Sequence, residues 1–95
     1  MELKDIRRNI DKIDRELLVL LQERMGLALR SAKFKETVND PQREEELLAK
    51  AERLNLDLVE RSFTRRLLKS IIEESKRLQK KERQLVEGAR VIRSR

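Results

Sequence analysis

Arg24, Lys35, Asp40, Arg43, Glu44, Ser75 and Gln79 are the residues of this chain whose positions call for a chemical explanation. Arg24 follows Leu20 in a run of apolar positions, flanked by Leu21, Leu27 and Ala28. A guanidinium in such surroundings costs several kcal/mol unless an anion meets it. It must therefore face a carboxylate, either a glutamate across a protein interface or an acidic ligand. Lys35 lies eleven residues further along the same helical face. Alone it reads as a lysine snorkelling at a helix end, and beside Arg24 as a second donor into the same space. Asp40-Pro41 reads as an N-cap with proline at the first helical position. Glu44 suits the positive end of that helix, whereas Arg43 opposes the dipole and is left unexplained by capping. Ser75 and Gln79 stand four apart on an otherwise apolar stripe. They are either locally satisfied, with Gln79 exposed, or they are hydrogen-bonding groups of a site.

These side chains offer cations, carboxylates and neutral donors, and no nucleophile. The chain has no Cys, His, Trp or Tyr. Imidazole acid–base chemistry and Cys–His or Ser–His catalysis are excluded, and zinc and iron–sulfur sites lack their usual ligands. A reaction run here would rely on positioning and charge. No metal and no cofactor are expected.

The elements that hold these residues follow from periodicity. Leu3, Ile6, Ile10, Ile13, Leu17 and Leu20 alternate steps of three and four, the narrow stripe of a coiled-coil seam. The spacing predicts a first helix from about Leu3 to Lys35 or Glu36, roughly 50 Å long at 1.5 Å per residue. A compact domain of 95 residues has a radius of gyration of only about 12–13 Å. Such a rod needs cover from a second chain, so an obligate homodimer with helix 1 at the interface is expected. A second helix opens at Asp40-Pro41, with Leu47, Leu48, Ala51 and Leu54 on its apolar face. Asn55-Leu56-Asp57 reads as a short connection with Asp57 as cap. A third helix carries Phe63, Leu67, Leu68, Ile71, Ile72 and Leu78, with Leu85 near its end and Gly88 as its stop. The expected architecture is all-α: three helices in one domain over residues 1–88, followed by a basic, loosely ordered tail over 89–95.

Composition agrees with a small helical protein. Charged residues make up 44% and aromatics 2%, so the core must be aliphatic. No apolar run approaches the ~20 residues that span a bilayer, and the N-terminus does not read as a secretory signal, so a cytoplasmic location is expected. The net charge of +6 is concentrated in residues 76–95, with eight Lys/Arg against two Glu. That excess reads as a solvated helix end suited to the macrodipole, with binding of nucleic acid as the alternative.

In combination these pieces resemble the all-helical (AroQ-type) chorismate mutases. The matching residues are Ile6-Arg7, Asp14, Leu17-Leu18, Glu23-Arg24, Ala32-Lys33-Phe34-Lys35, Asp40-Pro41-Gln42-Arg43-Glu44, and Ile71-Ile72-Glu73-Glu74-Ser75 with Gln79. They cover roughly residues 3–85. The resemblance implies an intertwined homodimer and an intramolecular rearrangement of chorismate to prephenate in aromatic amino acid biosynthesis. It implies that Arg7 from the partner protomer and Arg24 from the same chain each take a substrate carboxylate. Lys35 and Gln79 would donate to the ether oxygen of the breaking bond. Glu44 would accept from the ring hydroxyl with Asp40 near it, and Arg43 and Ser75 would complete the carboxylate end. An isochorismate pyruvate-lyase of the same fold is the alternative activity. The chain departs from many relatives in having only Glu36 to Asn39 between Lys35 and Asp40. Either the turn there is tight or helix 1 ends early.

Overall fold

The computed structural model describes the backbone of residues 1–93 and the side chains through residue 88. The protein is all-α, as the periodicity predicts. Helix α1 spans Leu3–Ser31, a short 3-10 turn covers Ala32–Phe34, α2 spans Pro41–Glu52 and α3 spans Arg61–Arg93. None of these helices is long and apolar enough to cross a membrane.

Helix α2 opens as expected, with Pro41 in its first turn and the Asp40 carboxylate accepting from the Arg43 N–H at 3.2 Å. Three boundaries differ from the sequence expectation. Helix α1 stops at Ser31, not at Lys35 or Glu36. The Ala28 carbonyl there is drawn on by the Ser31 hydroxyl at 2.8 Å and by Gln79 at 2.7 Å. The backbone then tightens and becomes extended at Lys35 (φ −116°, ψ 142°), which lets Val38 dip into the core. The short connection to α2 is thus reached by ending α1 early.

Asp57 does not cap α3. The helix begins at Arg61, where the Glu60 carbonyl accepts both the N–H and the hydroxyl of Thr64. The longer connection lets Arg65 face α2, where it pairs with Glu52 at 2.8 Å and Glu45 at 3.4 Å. Gly88 does not stop α3 either. No described glycine has positive φ, so Gly88 lacks the left-handed turn of a C-terminal cap and the helix continues to Arg93. The tail expected to be loosely ordered over 89–95 lies, for its side chains and for Ser94 and Arg95 altogether, outside the described residues.

Helices α2 and α3 run antiparallel, tied at one end by Glu52–Arg65 and at the other by Glu44–Lys76. The C-terminal part of α1 lies parallel to α3. Its contacts recur at a constant separation of 51 residues: Arg24 with Ser75, Ala28 with Gln79, Ala32 with Arg83. The core is small, with Ala32, Val38, Leu48 and Ile72 as its buried apolar residues. The N-terminal part of α1 extends away from it. The molecule measures 65 × 30 × 16 Å, with a radius of gyration of 18.0 Å, well beyond that of a compact chain of this length.

Candidate active site

Where α1, α2 and α3 meet they line an open cavity of about 470 Å³, a size typical of small-molecule sites. Seven of the eight residues singled out by sequence line it: Arg24, Lys35, Asp40, Arg43, Glu44, Ser75 and Gln79. The eighth, Arg7, does not. It lies 17 residues before Arg24 on α1, about 25 Å along the helix axis, and is exposed.

Each lining residue has a local reason for its place. Ser75 is buried on α3, and its hydroxyl donates to the Ile71 carbonyl at 2.9 Å while accepting from the Arg24 guanidinium at 2.8 Å. The local bond expected of a helical serine is therefore made with the hydroxyl hydrogen, and an oxygen lone pair is left to anchor Arg24. Gln79, the most buried polar residue among the described residues at 3% exposure, is not the exposed glutamine of the local reading. Its Nε2 donates to the Ala28 carbonyl at 2.7 Å. A carbonyl can only accept, so this bond settles which end of the amide is the NH₂. The second N–H of that group remains free to donate.

Arg24 is half-buried, and among the described residues it meets a hydroxyl but no carboxylate. Burial, and after it the positive charge of Arg43, pushes its proton affinity below the usual arginine range. Two cations therefore converge at the half-buried Arg24, an arrangement that an anion would relieve.

Two residues that the sequence did not mark complete the surroundings. Lys76, largely buried, bridges Glu44 and Glu73, each at 3.1 Å, and the two carboxylates, Glu73 first, raise its pKa. It follows Ser75 on α3, and only the packing of α3 on α2 reveals that it faces Glu44. Arg83 lies one helical turn past Gln79 and reaches over to the end of α1. Its signal was present in the four-residue spacing Ser75, Gln79, Arg83, but the charge-rich tail hid it.

The cavity thus presents Arg24, Lys35, Arg43 and Lys76 against Asp40 and Glu44. That excess of two positive charges matches a small dianion. The family described as "Chorismate mutase type II" matches residues 6–80 of this sequence.

The chain belongs to the type II chorismate mutase family.

Its α3 continues beyond the family match to Arg93. The chain is also 40% identical over 77 residues to a bifunctional chorismate mutase/prephenate dehydratase of Aquifex aeolicus (strain VF5). That match covers 77% of this chain and 21% of the relative, so the chain spans about a fifth of the relative's length. No solved structure matches the chain significantly. The family match begins at Ile6, beside Arg7, and ends just past Gln79, within the residues 3–85 of the sequence resemblance.

Proposed function

We propose that this chain converts chorismate to prephenate in the cavity between its three helices. The observation that carries the reading is the Arg24–Arg43 pair, two converging cations without a carboxylate for Arg24, placed in one cavity with the oriented amide of Gln79. Chorismate bears two carboxylates, and its rearrangement breaks a C–O bond as a C–C bond forms within the same molecule. No proton transfer and no covalent intermediate are needed, so a chain without His or Cys is fully equipped.

In this reading Arg24, held by Ser75, takes one substrate carboxylate with Arg43 nearby. Lys35 and the free N–H of Gln79 donate to the ether oxygen as negative charge develops there. Such preorganised donors act in the transition state, and each is typically responsible for a factor of about 10²–10³ in rate. Glu44, steadied by Lys76, accepts from the ring hydroxyl, and Asp40 stands near it at the start of α2. Holding the enolpyruvyl arm over the ring supplies the rest of the acceleration.

The site is completed by a second copy of the chain. Ile10, Ile13 and Leu17 are 49%, 55% and 59% exposed, and α1 contributes no buried residue of its own. An apolar stripe of that length is the signature of an interface. In an intertwined homodimer it would be covered, and Arg7 would enter the partner's cavity to take the second carboxylate. The domain is residues 1–88, with 89–95 a basic tail, and the protein works in the cytoplasm.

The test is to follow the loss of chorismate and the formation of prephenate with purified protein, with isochorismate assayed in parallel and the mass measured by sedimentation. Prephenate formation by a dimer is expected. A folded dimer that forms no prephenate overturns the proposal, and release of pyruvate from isochorismate alone would favour the lyase.

A further inference from the structure

Helix α1 ends without the usual devices. No described residue has positive φ, so no left-handed cap satisfies the last carbonyls of α1 and the 3-10 turn. The Ala32 N–H bonds back to the carbonyls of Ala28 and Arg30, and the bond that follows, from the Lys35 N–H to the Ala32 carbonyl, is long at 3.4 Å. The segment that follows is the shortened connection, in which Thr37 donates only to Asn39.

The side chain of Arg83 supplies what is missing. Its Nη2 donates to the Ala32 carbonyl at 3.0 Å and the Lys35 carbonyl at 2.7 Å, and its Nη1 donates to the Glu36 carbonyl at 3.0 Å. Three acceptors from three different residues are held by one planar fork, at the negative end of a helix. One acceptor is the carbonyl of Lys35, whose side chain lines the cavity. Arg83 also stands on the face of α3 that carries Ser75 and Gln79, as the third rung of the same ladder.

We infer that Arg83 is a positioning residue for Lys35: it clamps the backbone at residues 32–36, so that the ammonium is presented to the reacting oxygen from a connection too short and too poor in hydrogen bonds to hold itself. The inference rests on reading the cavity as the chorismate site. It assigns a role to a member of the basic segment that capping of the α3 macrodipole does not explain.

The experiment combines amide hydrogen exchange with kinetics for Arg83→Met and Arg83→Lys, each made in the wild-type chain and in Lys35→Ala. Exchange over residues 32–38 is expected to accelerate in Arg83→Met, with residues 61–80 unchanged. kcat is expected to fall about 10- to 100-fold with a smaller change in KM, the scale of a displaced reacting group. Arg83→Lys, which keeps the charge and loses the fork, is expected to lie between the two. In the Lys35→Ala background the same change is expected to cost less than about twofold, because coupled residues are not additive. Unchanged exchange over 32–38 overturns the clamp, and an equal loss of kcat in both backgrounds overturns the route through Lys35. If Arg83→Met unfolds, Arg83→Lys is read by the same criteria. A folded wild-type dimer without chorismate turnover would overturn the proposed function instead, and the exchange measurement would still decide the clamp.

Discussion

The two ends of α1 obey different physics. From Leu3 to Leu20 its apolar side chains have no partner in the chain and remain exposed. From Leu21 to Ser31 the same helix lies against α3, and its contacts are polar and specific: Arg24 to Ser75 and Ala28 to Gln79. The first part holds hydrophobic area, which is non-directional and satisfied by any complementary apolar surface. The second holds hydrogen bonds whose geometry leaves little choice. One helix can therefore serve association at one end and substrate at the other. The change of character falls where packing within the chain begins.

The largest expected effect comes from attacking the first end. Replacing Ile13 and Leu17 together by Asp puts two charges on a surface that the dimer would desolvate, at several kcal/mol each without a partner. Sedimentation is expected to show monomeric or unfolded protein, and a stable dimer carrying both changes would remove the distinction between the two ends.

The link between the ends is sharpened by complementation. Arg7→Ala and Lys35→Ala are each expected to lower kcat/KM by about 10²–10³. Heterodimers of the two hold one cavity with both residues intact, so mixing and refolding should restore part of the activity. Verified heterodimers that stay as inactive as their parents would mean that Arg7 does not cross to the partner.

A smaller effect is expected inside the polar end. Lys76→Met removes the bridge to Glu44 and Glu73 while keeping the apolar stem. Loss of a charged hydrogen bond of roughly 1.5–3 kcal/mol is expected to show as weaker substrate binding, with KM raised about tenfold. A KM within twofold of wild type would detach Lys76 from the site.

The smallest expected effect is that of pH near neutrality. Lys76 is raised by Glu73 and Glu44, so its contribution is fully present below the ordinary lysine value of about 10.4 and is lost only as pH rises through the folded value. Arg24 is lowered by burial and by Arg43, but from the arginine range, and it stays charged at neutral pH. Glu74 is lowered by Arg77, so its contribution is present above about pH 4.3 and is lost as pH falls through the folded value. None of these changes falls between about pH 6 and 8, and there is no histidine to supply one. kcat/KM is expected to vary less than twofold there, and a steep sigmoid would point to a titrating group outside this description.

How far the sequence could be read differs between helices and their ends. The three helices follow from apolar periodicity, and the α2 start from Asp40-Pro41, because both signals are local. The C-terminal end of α1 and the start of α3 differ from the sequence expectation because they depend on partners far along the chain. Gln79 and Arg83 draw on the carbonyls of residues 28–36, and Arg65 pulls the base of α3 toward Glu45 and Glu52. The site shows the same division. Its residue types were legible as polar interruptions of an apolar pattern, but Lys76 and Arg83 were not, since each looked like one more cation in a basic segment.

The sequence by itself determined that this is an all-α chain whose first helix outruns its own domain, and that any chemistry in it must use charge and position. Periodicity and composition are enough for that, because a helix's stripe and a missing histidine need no knowledge of packing. Only the tertiary structure decided that α1 stops at Ser31, which way the Gln79 amide points, that Lys76 bridges to Glu44, and that Arg83 donates to the carbonyls of the segment that follows α1. Those facts join residues of different helices, with partners 51 residues apart between α1 and α3, and are set by how the helices lie against one another.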